Sequence, residues 1–357
     1  MENLLKKIIY TFGTIFLLGC IVILSILWVF SNELPDYKFL KNYKPPVSSK
    51  VYSGAGELVS DFSSQKRIFV PYNSMPKVVI EAFLSAEDKN FFSHPGVDAK
   101  GVFRAVIKNI SNIIYSKRLE GASTITQQVA KNFLLSNEVS FNRKLKEAIL
   151  AFRIERTLSK ERILELYLNQ IYLGEGSYGI ASASLVYFDK SINELNYSEA
   201  ALLAALPKAP SKYNPYKNIK LAKFRRNLVI NNLYDNNYIS LNKKVELEKS
   251  KIILKKRKKQ FFEDTRYYIE DIRKYAVQKF GYDMVYKKGL SIKSPINLEL
   301  QKIATESLRN GLENFDRRKG WRGALDNFDK KDWKKKIKKF TIEKSIEWKI
   351  ARVEKIE

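Results

Sequence analysis

The chain opens on an apolar run. From Ile8 to Phe30 no charged residue interrupts it. At about 1.5 Å per residue, a helix of that length spans roughly 30–35 Å, enough to cross a bilayer. Polar sequence marked by Pro35, Pro45 and Pro46 follows and reads as a linker. Short β signals come next. Lys50-Val51-Tyr52 and Leu58-Val59 flank Gly54-Ala55-Gly56 and predict a hairpin; Arg67-Ile68-Phe69-Val70 adds a strand that Pro71 stops. From about residue 76 to 235 the period becomes helical. Leu145, Ala148, Ile149 and Phe152 repeat at helical spacing, as do Leu164, Leu168 and Ile171. Ser123, Ser159 and Ser198 precede apolar-periodic segments and are expected as N-caps.

Residues 236–264 turn polar and basic, with Lys255-Lys256-Arg257-Lys258-Lys259, and read as a connector. A second small unit is expected from Thr265. It has a helix through Tyr268 and Ile272, a strand near Leu290 and Ile292, a helix over Leu300, Ile303, Ala304 and Leu308, and strand-like alternation in Ile346–Ile350. The expected organisation is therefore an anchor over 1–32, a linker with hairpin over 33–75, a mainly α domain over 76–235, a basic connector over 236–264 and a partial α+β unit over 265–357. There are no internal repeats.

Charge adds a partner class. The formal net charge is +26 over 357 residues, which suits acidic lipid, pyrophosphate or nucleic acid. Lys6 and Lys7 precede the apolar run, and Glu33 and Asp36 follow it. The positive-inside rule then puts the amino terminus in the cytoplasm and the rest of the chain outside. Nucleic acid is in the wrong compartment for that arrangement. A cleaved signal peptide would have a shorter apolar core and a small-residue cleavage site, and neither is evident. Cys20 and His94 are the single residues of their kinds, so neither an intramolecular disulfide nor the usual zinc site is expected.

Five segments carry candidate chemistry. In Ala86-Glu87-Asp88-Lys89-Asn90-Phe91-Phe92-Ser93-His94-Pro95-Gly96, adjacent acids end an apolar helix. A carboxylate shielded by Phe91 and Phe92 could accept a proton, although an acidic pair capping a turn explains the same residues. In Gly121-Ala122-Ser123-Thr124-Ile125-Thr126-Gln127-Gln128-Val129-Ala130-Lys131-Asn132, small residues lead into a helix with Thr124, Gln128 and Lys131 on one face. This is either a phosphate cradle or an ordinary capped helix. In Arg143-Lys144-Leu145-Lys146-Glu147, the acid neighbours both cations on a helix. That is a grip on a pyrophosphate or a solvated salt-bridged face. Lys160 to Gln170, followed by Gly174 and Tyr178-Gly179-Ile180, and then Glu199 to Ser211, read mostly as scaffold.

In this order and spacing, the five segments resemble the peptidoglycan glycosyltransferase domain, glycosyltransferase family 51. That domain occurs in class A penicillin-binding proteins and in monofunctional enzymes. The resemblance is close over roughly residues 50–220. It extends to Thr265–Gly323 through Leu298-Glu299-Leu300-Gln301 and Asp316-Arg317-Arg318-Lys319-Gly320. It implies a lysozyme-like, mainly helical fold on the outer side of a bacterial cytoplasmic membrane. It also implies polymerisation of lipid II with release of undecaprenyl pyrophosphate and inversion at the anomeric carbon. By the same resemblance Glu87 is the general base and Glu147 assists at the donor. Lys131, Arg143 and Lys144 stabilise the pyrophosphate, and Asp88, Phe91, His94, Ser123, Thr124, Gln127, Gln128 and Asn132 match further substrate-binding positions. The expected partners are lipid II, the growing lipid-linked chain, the membrane and other cell-wall synthesis proteins. No cofactor is required, and a divalent cation, Mg or Mn, is compatible with the chemistry. The segment from Val102 to Leu119, apolar with interspersed cations, reads equally as a core helix or as one dipping into the membrane interface.

Ala122 and Asp189 stand where the family often has glycine. Ser63-Ser64-Gln65-Lys66 has Ser-x-x-Lys spacing but precedes the motifs, and no Lys-Thr-Gly follows, so no transpeptidase activity is expected here. The rival enzyme is a lytic cell-wall glycosidase, against which the Lys131, Arg143 and Lys144 cluster argues. The rival non-enzyme is a membrane scaffold derived from a penicillin-binding protein, against which Glu87 and Glu147 argue.

Overall fold

The computed structural model describes residues 34–62, 66–114, 121–255 and 263–320, without 44, 47, 122, 137 and 139. It also describes positions 13, 14, 17, 18, 25 and 30 and short stretches within 323–353. Most of the expected anchor over 8–30, the basic run 256–259 and most of 346–350 lie outside the described residues. Among the described residues, no helix is long and apolar enough to cross a membrane.

The expected hairpin forms. β1 (Ser49–Tyr52) pairs antiparallel with β2 (Leu58–Phe62). The predicted strand at 67–70 is shorter: β3 (Lys66–Arg67) runs parallel to β4 (Ser177–Tyr178). Pairing stops because Val70 is held by a side chain instead. Asn169 accepts from Val70 N–H at 2.8 Å and donates to Val70 C=O at 2.9 Å.

Nine helices make the main body among the described residues. They are α1 (Lys77–Glu87), α2 (Ala99–Ile114), α3 (Ile125–Leu134), α4 (Phe141–Thr157), α5 (Lys160–Gln170), α6 (Ile180–Phe188), α7 (Tyr197–Ala205), α8 (Ile219–Asp235) and α9 (Leu241–Lys249). At the centre lies α7, whose residues 200–205 are all buried. A helix apolar on every side must be enclosed, and its four alanines let α1 and α8 approach closely. Arg226, fully buried on α8, ties the bundle together. It donates to Ser198 Oγ at 3.1 Å and to the carbonyls of Glu248 and Ser250 at 3.1 and 3.0 Å, which end α9.

Two expected caps move. Ser159 caps α5, but Thr124 rather than Ser123 caps α3, and Asn196 rather than Ser198 caps α7. Both displaced positions form capping boxes, with Gln127 and Glu199 reaching back from the third helical residue. The periodic apolar stripe of α4 (Leu145, Ala148, Ile149 and Phe152) is not its buried face. Phe152 is exposed, and the buried face is Glu147, Leu150, Ala151 and Ile154. The small Ala151 accepts close backbone packing that Phe152 would block.

On α2 the side chains of Val102, Phe103, Val106, Ile107 and Ile110 are all exposed. At 100° per residue they share one face, with exposed Arg104 beside it and exposed Lys108 on the opposite side of the helix.

The sequence places a separate unit from Thr265. The structure divides the chain instead between Ile296 and Asn297. α10 (Arg266–Phe280) leads to β5 (Ser291–Lys293), which runs parallel to β1 and completes a sheet in the order β2-β1-β5. Ser49 fixes this join by donating to Val285 C=O at 2.6 Å and accepting from Leu290 N–H at 2.8 Å. The second unit holds α11 (Leu298–Lys319), capped by Asn297, with none of its residues buried.

Candidate active site

α1 ends at Glu87 because Asp88 leaves helical geometry at φ −160°. The Asp88 carboxylate then turns inward. It accepts from Ile125 N–H at 2.9 Å, capping the start of α3, and lies 3.0 Å from His94 Nε2. An anion at a helix N-terminus is favoured by the unpaired amides there. His94 Nδ1 accepts from Gly96 N–H at 3.2 Å. A ring nitrogen that accepts carries no proton, so the proton sits on Nε2, facing Asp88.

Gly96 is required at its position. Its φ is +103°, and a Cβ there would lie 2.7 Å from Ala151 O on α4. Its carbonyl accepts from Thr124 Oγ1 at 2.5 Å. Thr124 Oγ1 also accepts from Gln127 N–H at 3.2 Å, and Gln127 Oε1 accepts from Thr124 N–H at 3.0 Å. Phe91 is fully buried beneath this loop. Lys160 lies 4.4 Å from the Phe91 ring centroid and donates to His94 C=O at 2.7 Å and to Glu155 at 2.8 Å. Asp88, Phe91, His94, Thr124 and Gln127 are thus brought together, and their partners are internal: they shape the loop and the start of α3.

Glu87 keeps partial exposure to solvent. Its Oε2 accepts from Gln128 Nε2 at 2.7 Å. Burial pushes its carboxyl above the usual range; the Gln128 hydrogen bond and the charges of Arg225 and Lys208 pull it back, while Asp88 pushes it further up. Lys131, one turn beyond Gln128, is partly buried, and its side chain makes no hydrogen bond or ion pair among the described residues; Asn132 beside it is likewise partly buried.

Glu147 is 2% exposed and holds two cations. Arg143 Nη1 donates to Oε1 and Lys144 Nζ to Oε2, the latter at 2.6 Å. Lys144 also donates to Ser123 Oγ at 2.7 Å. Both acids are therefore tied to the same short stretch at the start of α3. Glu87 joins it at Gln128, and Glu147 joins it through Lys144 at Ser123, five residues earlier.

Sequence reasoning missed two cations. Arg225 on α8 was not singled out, and Lys208 sat unassigned within the fifth segment. The available signal was that residues 200–234 carry seven basic residues and no acidic one. Among the described residues, no group of three or more His, Cys, Asp or Glu could hold a metal ion.

A partly buried carboxylate within the field of two cations and a second acid gripping two more are thus both linked to the start of α3. Comparison with known proteins places that site in a family. The transglycosylase family model matches residues 55–234, and the chain belongs to that family. Penicillin-binding protein 1A of Rickettsia bellii is 46% identical over 341 residues, which is 95% of this chain and 43% of that protein. Penicillin-binding protein 1A of Neisseria lactamica is 41% identical over 331 residues, covering 91% and 41%. The crystal structure of penicillin-binding protein 1A from Haemophilus influenzae superposes with a TM-score of 0.50 at 28% identity, over 81% of this chain and 33% of that one. The chain spans less than half the length of these curated relatives.

Proposed function

We propose that this chain is a peptidoglycan glycosyltransferase that polymerises lipid II into glycan strands at the outer face of the cytoplasmic membrane. The observation that carries the reading is the pairing of Glu87, a carboxylate with a raised pKa, with the Glu147-held cations on one helix start. A carboxylate whose pKa approaches the working pH is a better proton acceptor than an ordinary one. Glu87 takes the proton from the acceptor 4-hydroxyl. The freed oxygen attacks the anomeric carbon of the lipid-linked chain, and the bond to the pyrophosphate oxygen breaks. The leaving group departs with both electrons of that bond, and its charge is the main electrostatic task of the step. Arg143 and Lys144 are oriented for this by Glu147, and Lys131 is uncommitted.

In this reading Ser123, Gln128 and Asn132 line the substrate path. Asp88, Phe91, His94, Thr124 and Gln127 hold the path in shape. Glu147 is already neutralised by two side chains and has no carboxylate cluster beside it among the described residues, so these surroundings do not fit a protein-held divalent cation.

The exposed apolar face of α2, with Arg104 beside it, supports contact with a lipid surface. Such a face has the chemistry to bring the site to a lipid-anchored substrate.

The test is product identity. Detergent-solubilised chain incubated with lipid II is expected to give long glycan strands and free undecaprenyl pyrophosphate. Release of fragments from polymeric cell wall, with lipid II left unextended, would replace this reading with a lytic one.

A further inference from the structure

Tyr167, on α5, is 1% exposed, yet its hydroxyl has no hydrogen-bond partner among the described residues. Buried phenol groups are ordinarily paired, because desolvating an O–H without a partner is unfavourable. The ring meets Phe83 edge-on, with centroids 6.2 Å apart and planes at 74°. Phe83 and Glu87 are four residues apart on α1 and share a face of that helix. Tyr167 therefore packs on the face of α1 that carries Glu87, while α5 also packs against α3, which supplies Gln128.

Asp88 already accepts from Ile125 N–H and faces His94 Nε2 with both its oxygens. Glu87 uses Oε2 for Gln128, and its Oε1 accepts no hydrogen bond. Resting on the reading of Glu87 as the base, we propose that Tyr167 is a positioning residue for Glu87: its hydroxyl supplies, through one bound water, the hydrogen bond that holds the ionised carboxylate. The charged and titratable groups that act on Glu87 are Asp88 at the end of α1, Lys208 after α7, Arg225 on α8 and Tyr167 itself. Burial first, and then the charges of Glu87 and Asp88, hold the Tyr167 phenol well above the ordinary tyrosine value. It therefore remains a neutral donor wherever Glu87 titrates.

The experiment is the pH profile of kcat/KM for lipid II, measured on the full chain in detergent. Tyr167→Phe keeps the ring and its contact with Phe83 and removes only the oxygen. Losing a donor to the charged form raises the carboxyl pKa, so the acid limb should move up by about half to one pH unit. That corresponds to a loss of about three- to tenfold on the acid side, with a plateau within about twofold of the unmodified chain. Replacing Tyr167 by 3-fluorotyrosine strengthens the donor and should move the limb the other way. A limb that stays in place in both variants, or a loss equal at every pH, overturns the inference. Glu87→Gln separates the two claims. If it keeps turnover, the base reading itself fails. If it abolishes turnover while the Tyr167→Phe limb stays in place, only the role of Tyr167 fails.

Discussion

Gln128 Nε2 donates to Glu87 Oε2 at 2.7 Å, joining α3 to the last residue of α1. This hydrogen bond opposes the burial that raises the Glu87 carboxyl. Gln128→Leu should therefore raise that carboxyl further. On the reading of Glu87 as base, turnover of lipid II should fall more at about pH 6 than at about pH 9, with a difference on the order of tenfold. A pH-rate profile checks this.

Glu87 is expected to cost stability for function. Its folded-state pKa is raised, so folding favours the protonated form. That contribution is full below the unfolded value and is lost as pH rises through the folded one. Glu87→Gln removes the titration while keeping a partner for Gln128. The variant should melt higher than the unmodified chain at about pH 8, and the gap should close near pH 4. Melting curves at the two pH values decide it.

Gly96→Ala tests the loop that aligns Asp88 and His94. A Cβ at Gly96 would sit 2.7 Å from Ala151 O at a φ of +103°. Removing both the clash and the strain requires the loop to shift away from α4. The expected cost is about 1–3 kcal/mol, read by denaturant unfolding, with lost activity even where the protein remains folded.

Ile107→Ser with Ile110→Ser tests the face of α2. Both side chains are more than half exposed, so removing them should leave the melting temperature nearly unchanged. If the face meets lipid, partition of the chain onto anionic vesicles should drop by about a hundredfold or more, because two buried aliphatic side chains are worth a few kcal/mol. Sedimentation with vesicles measures it.

The chemistry was more legible in the sequence than the packing. Glu147 with Arg143 and Lys144 follows from helical spacing alone, and the structure forms both pairs. The cap of α3 was also written in the sequence as Thr124-x-x-Gln127, but Ser123 beside it has the same chemistry, and only the geometry of the turn selects between them. The buried face of α4 was hidden because Glu147 lies on it: an acid there reads as surface until its two cations are seen. The pairing of β5 with β1 joins residues some 240 positions apart and leaves no local signal. Arg225 was missed for a related reason, since its relation to Glu87 exists only once α8 packs across α1.

The most direct measurement is the rate of lipid II consumption by purified chain and by its Glu87→Gln variant across pH. The account predicts an acid limb in the unmodified chain that reports the raised carboxyl. It also predicts a loss of about a hundredfold or more in the variant at every pH, with lipid II still bound. Comparable turnover in the two proteins would contradict it.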